Sequence, residues 1–128
     1  MQTIVRRLVP NQDIKKALNS FLDENLLSSA AIISAVGSVR EYALRVSDGT
    51  SVIKGFENRE IVSLSGILTK DGIHVHISLS GLDGSVIGGH LMEGCLVHTT
   101  LELVLIALED ELTREYDPNT GYRELIVK

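Results

Sequence analysis

Three of the chain's four histidines fall in one stretch, His74 to His90, which reads HVHISLSGLDGSVIGGH. His74 and His76 stand two apart in a segment that alternates apolar and polar, so a strand here sends both imidazoles to the same face. Leu82, Asp83 and Gly84 suit a three-residue hairpin loop. Its last position needs a left-handed backbone, which Gly84 adopts without strain. With Gly81 opposite Ser85, counting outward pairs Ser78 with Gly88 and His76 with His90. Three neutral imidazoles, from His74, His76 and His90, then meet on one face of a single hairpin. That donor set suits a transition metal, with a fourth position left open.

The same count turns Val75, Ile77, Leu79, Ile87 and Leu91 to the opposite face, where they suit a core. The register depends on the loop: a four-residue loop pairs His90 with Val75 and turns it the wrong way. A plainer alternative stays open, because histidines on the wet face of a strand often do no more than hydrogen-bond. Gly88-Gly89, just before His90, points beyond it. Glycine weakens a strand interior, so two in succession imply a bulge or a close approach by something else. A metal site, a subunit contact or a bound ligand would each supply the reason. Gly84, Gly88 and Gly89 are expected to be structural residues of the site.

The elements that must position this hairpin come from a chain of 128 residues, expected to form one domain over 1–128 with a core of its own. Hydrophobic residues make up 44% with no Trp and two Phe, so the core is aliphatic. The single cysteine, Cys95, excludes an internal disulfide and reads as a small buried apolar side chain. No apolar segment resembles a signal sequence or is long enough to span a bilayer, which leads to the expectation of a soluble, cytoplasmic protein. The formal net charge is −5, with basic residues scattered and acids gathered at Glu109, Asp110, Glu111 and Glu115. Direct DNA binding, which calls for a basic stripe along the phosphates, is disfavoured by that distribution.

Residues 3 to 9 alternate weakly as a first strand that Pro10 ends. Asn11 is the expected helix cap, with Asp13 in the first turn, and Ile14, Leu18, Phe21 and Leu22 form the apolar stripe of a helix from about 12 to 25. Ala30 to Val36 is small and apolar, Gly37 marks a bend, and Val39 to Val46 reads as a strand. After a turn at Ser47-Asp48-Gly49 come a strand from Ile61 to Leu68 and a turn at Lys70-Asp71-Gly72 that feeds the histidine hairpin. Thr99 to Leu108 is apolar on both faces, as a doubly covered strand or a buried helix would be. With one helix to cover one face, the second face is expected to meet another subunit. Asp117 to Gly121 is turn chemistry, followed by a strand from Tyr122 to Val127. The fold class is α/β (α+β), mainly an antiparallel sheet with one principal helix packed on it. Neither a G-x-G-x-x-G nor a G-K-[ST] phosphate loop nor a G-x-S-x-G elbow is present.

Taken together, Ser63-Leu64-Ser65-Gly66, then H-x-H-x-S-L-S at His74 to Ser80, D-G-x-V-x-G-G-H-L at Asp83 to Leu91, E-G-C-x-V at Glu93 to Val97 and T-T-x-E at Thr99 to Glu102 resemble the plants-and-prokaryotes-conserved (PPC) domain. Gly37-Ser38-Val39 and Thr120-Gly121 also fit, and the likeness runs from about residue 3 to the end. Leu101 departs from it, standing where the family usually has a smaller residue. The resemblance implies an antiparallel sheet with a helix packed on it and a homotrimer. It also implies a zinc ion on the histidines carried over here as His74, His76 and His90. In plant members the domain follows an AT-hook, and the combined protein binds AT-rich DNA in the nucleus; no R-G-R-P hook occurs in this sequence. The functional expectation is a homotrimeric interaction or regulatory module, with a protein partner and with DNA association only by analogy. The alternative is a zinc-dependent hydrolase or lyase acting on a small molecule. The near-sequence acid–base candidates, Ser78, Ser80 and Glu93, do not make a set, which favours the module.

Overall fold

The computed structural model describes residues 1–128. The chain runs β1 (Thr3–Leu8), α1 (Ile14–Glu24), β2 (Ser29–Arg45), β3 (Val52–Gly55), β4 (Arg59–Thr69), β5 (Gly72–Ser80), β6 (Val86–Leu91), β7 (Leu96–Ala107), β8 (Leu112–Asp117) and β9 (Tyr122–Val127). Seven strands make one antiparallel sheet in the order β1-β7-β2-β4-β5-β6, with β3 on β2; β8 and β9 pair only with each other. The expected architecture of a mainly antiparallel sheet with one principal helix is the one observed.

β6 returns to pair with the far end of β2, Leu44 opposite Leu91 and Arg45 opposite His90. Strands β2, β4, β5 and β6 therefore close into a ring. Its interior holds Leu44, Leu64, Val75, Ile77, Leu79 and Leu91, all buried. Leu101, Leu103 and Leu105 of β7 belong to the same buried cluster as Ile14, Leu18, Phe21 and Leu22 of α1, the stripe expected from their spacing. Each such side chain removed from water contributes about 1.5–3 kcal/mol. Cys95 is fully buried, its thiol donating to the Ala43 carbonyl, and burial pushes its pKa up.

Three local expectations need correction. Asp13, not Asn11, caps α1: its Oδ1 accepts from Lys16 N at 3.1 Å, while its Oδ2 accepts from Gly94 N at 2.8 Å. Asn11 lies in the turn before, at φ 77, held to the Val97 carbonyl. Gly37 does not separate two segments: β2 is a single 17-residue strand that runs through it, with a register shift against β7 between Gly37 and Val39. A Cβ on Gly37 would stand 2.0 Å from the Thr100 carbonyl oxygen, so close packing on β7 requires this glycine. β3 and β8 carry too little alternation to be read from sequence, and both are present.

Thr99 to Leu108 resolves as strand β7, with Leu101, Leu103 and Leu105 inward. Directly opposed residues share a face, so the pairs Ile106–Ala31, Ala31–Ile67 and Ile67–His74 trace one row across the outer surface. On this outer side Val104 and Ile106 are half-buried, while Val5 and Val36 are 69% and 63% exposed. The chain itself leaves the part of that face on β1 and β2 open, while the β8–β9 hairpin stands against the part at Ile67 and His74. No helix is long and apolar enough to cross a membrane.

Candidate metal centre

The hairpin forms on the register its loop chemistry requires. His76 opposes His90, Ser78 opposes Gly88, and Gly81 N donates to the Ser85 carbonyl. Gly84 takes φ 80, and Asp83 accepts from the Ser85 backbone and hydroxyl, closing the loop. A second row crosses the outer surface from Ser65 through His76 and His90 to Arg45. His74 lies one step up β5 on the same face.

All three imidazoles converge. Ring centroids lie 5.1 Å (His74–His76), 5.4 Å (His74–His90) and 5.7 Å (His76–His90) apart. One ligand nitrogen from each comes within 4.8 Å of the others. Zinc–nitrogen bonds of ~2.0–2.1 Å in a tetrahedron hold nitrogens roughly 3.3 Å apart, a difference that rotation of the exposed His74 and His76 side chains closes. His90 Nδ1 is buried without a hydrogen-bond partner, an unfavourable state that a cation would relieve. Burial, and then the Arg45 charge, lower the His90 pKa to about 4; burial, and then His76, lower that of His74. Neutral imidazoles are the form that ligates a metal. On these grounds the donors fit.

The glycine pair has a different cause from those anticipated. A Cβ on Gly89 would stand 2.6 Å from the Arg45 carbonyl oxygen, and one on Gly88 3.0 Å from that of Ile77. The close approach is by the chain's own strands as the ring closes. The pair forms no bulge, since the β5–β6 register runs unbroken through both.

A cleft of about 820 Å³ opens beside the histidines. The β8–β9 hairpin forms its far wall, bringing Arg114, Tyr122, Arg123 and Glu124 to it. Arg114 N donates to Asp71 Oδ2 at 3.2 Å, and Arg123 donates to the Asp71 carbonyl at 3.3 Å, tying the hairpin to the turn before β5. Glu124 raises and Arg114 lowers the proton affinity of His74, so both act electrostatically on the site. None of Ser78, Ser80 and Glu93 lines the cleft; the Ser78 hydroxyl instead shares a 2.6 Å hydrogen bond with Ser63. Glu124 is the acid that sequence reasoning missed. The turn at Asp117–Gly121 signalled a hairpin, but nothing local indicated where it docks.

The family model for the Plants and Prokaryotes Conserved (PCC) domain matches residues 1–109, ending before that hairpin. Two curated relatives from Synechococcus sp. (strains JA-3-3Ab and JA-2-3B'a(2-13)), each named bifunctional protein GlmU, are 42% and 41% identical over 123 residues, or 95% of this chain. The chain spans only 20% of the length of each. Among solved structures, a hypothetical protein from Salmonella enterica is 34% identical with a TM-score of 0.95, over 99% of this chain and 93% of that one. A metal-containing protein from Archaeoglobus fulgidus is 30% identical with a TM-score of 0.78, over 98% and 94%. A protein of Bacteroides thetaiotaomicron to which DNA binding is ascribed is 25% identical with a TM-score of 0.86, over 97% and 91%.

Proposed function

The chain belongs to the Plants and Prokaryotes Conserved domain family, and from that membership we propose that it is a homotrimeric interaction and regulatory module in which His74, His76 and His90 of each subunit hold a zinc ion. The observation that carries this reading is the convergence of three imidazoles on one hairpin face around a buried, unpartnered His90 Nδ1. The open outer face with Val5 and Val36 supports assembly, since contiguous exposed apolar surface commonly marks an interface. The match to about a fifth of two longer proteins suits a module that is joined to other domains. The metal content of the Archaeoglobus relative supports the site, and a free thiol at Cys95 suits a reducing cytoplasm.

Bound zinc would supply a Lewis acid with one open position. The chain's part is to present the three nitrogens from adjacent strands, with desolvation favouring the unprotonated form of His90 and His74. Glu124 across the cleft is placed to accept a proton, and this favours a second reading, a zinc-dependent hydrolase or lyase working on a small molecule. DNA association by analogy with plant relatives would need a partner protein, given the net charge of −5.

Elemental mass spectrometry and light scattering on tag-free protein purified without chelator test the proposal. Near one zinc per chain is expected, in a particle three times the 14.0 kDa chain mass. His76→Ala and His90→Ala should lose the zinc while keeping the wild-type circular dichroism spectrum. A folded, zinc-free monomer would overturn both halves of the reading.

A further inference from the structure

The cleft beside the histidines carries more cationic charge than its own carboxylates answer. Arg45 from β2, Arg114 from β8 and Arg123 from β9 line it, against Asp71 and Glu124. The chain's two ion pairs, Arg59–Glu57 and Lys70–Asp23, involve none of these arginines. Arg123 donates to the carbonyls of Asp71 and Arg114, at 3.3 and 3.0 Å, which fixes its guanidinium without neutralising it. Arg114 Nε is buried with no acceptor at all. Leaving such a donor unsatisfied is unfavourable, and more so when the group is charged. A chain with net charge −5 thus concentrates guanidinium groups in one concave place and leaves a donor there unsatisfied.

We propose that this cleft binds a small dianion bearing carboxylate or phosphate groups, held by Arg45 and Arg114 beside the histidine cluster. A guanidinium offers paired N–H donors at the spacing of carboxylate or phosphate oxygens, and such charge-assisted bonds are the strong ones. Arg45 is the cross-strand neighbour of His90, so an anion on it sits next to the imidazoles. Arg114 reaches the same space from the opposite wall and also borders the smaller recess with His74, His76 and Glu124. The inference goes beyond the zinc reading, because the arginines and the unsatisfied Nε stand without a metal. A metal on the histidines would add a further positive charge to the same ligand.

Isothermal titration calorimetry at fixed ionic strength tests it on the full chain, both zinc-loaded and chelator-stripped. Inorganic phosphate and succinate are the separate probes, and the one that binds identifies the acidic group. Saturable binding is expected for at least one, weakened tenfold or more by Arg45→Gln and by Arg114→Gln, with zinc content unchanged. The exposed, remote Arg40→Gln should bind as wild type. Should an arginine variant fold poorly, the wild-type Arg114 Nε–H resonance provides the readout and should shift on titration. Binding of neither probe to either form, wild-type affinity in both glutamine variants, or an unmoved Nε–H resonance would overturn the proposal. Arginine-dependent binding to a protein that takes up no zinc would refute the zinc reading alone. Stoichiometric zinc with no anion binding would do the reverse.

Discussion

Replacing Gly89 with alanine sets a methyl group against the strand junction that holds the histidine site. The new Cβ would lie 2.6 Å from the Arg45 carbonyl oxygen and 3.3 Å from both Arg45 C and Leu44 Cβ. Carbon and oxygen settle at about 3.3 Å in close sheet contacts, so β2 and β6 must part by roughly 0.7 Å. Neither obstacle is the end of a flexible side chain that swings aside. The expected cost is about 1–3 kcal/mol, the usual range for overpacking. For a domain of this size the melting temperature then falls by roughly 3–15 °C. His90 follows on the displaced strand, opposite Arg45, so zinc affinity should drop at least several-fold. Gly84→Ala is the comparison: at φ +80 with nothing within 4 Å, it meets only the left-handed backbone penalty of about 1–2 kcal/mol. Its zinc affinity should not change. Urea unfolding with the m-value monitored, plus a competitive zinc titration, reads both effects. Wild-type stability and zinc affinity in Gly89→Ala would refute the claim that ring closure dictates this glycine.

Other outcomes follow from single features. Asp48 is held by the Ser51 hydroxyl and by the Ser51 and Thr50 amides, which lower its pKa to about 2. Its folded value lies below its unfolded one, so its stabilising contribution is complete above the ordinary carboxylate range and is lost as pH falls through about 2. Carboxyl NMR titration should show this, and Ser51→Ala should move the value back towards 3.8. Val36→Asp puts a charge on the open outer face, where the side chain is 63% exposed; light scattering should report a smaller particle with little loss of monomer structure. Leu103→Ala empties a site with 2% exposure and should cost about 2–5 kcal/mol by chemical denaturation.

The histidine hairpin was legible because everything that defines it is local. A period of two, a loop ending in Gly84 and an aliphatic opposite face admit only one register that buries Val75, Ile77, Leu79 and Leu91. The stripe of α1 was legible for the same reason, although its cap was not. Asn11 and Asp13 both have capping chemistry, and the bonds to Val97 and Gly94, more than eighty residues away in the chain, decide between them. Gly37 and Gly89 announced a constraint without revealing its source. The atoms that crowd them belong to Thr100 and Arg45, on strands brought alongside only when the sheet closes.

The amino-acid order thus sufficed for the three clustered histidines, their common face and the mainly antiparallel class. Those rest on neighbours within one turn of chain, where backbone sterics and alternation leave few choices. The cleft around the donors is a different matter. Arg45 arrives by pairing with His90, and Arg114, Arg123 and Glu124 arrive on a hairpin tied down at Asp71. Contacts between segments so far apart in sequence depend on the shape and closure of the whole sheet. Only the tertiary structure brings the charges to the histidine cluster.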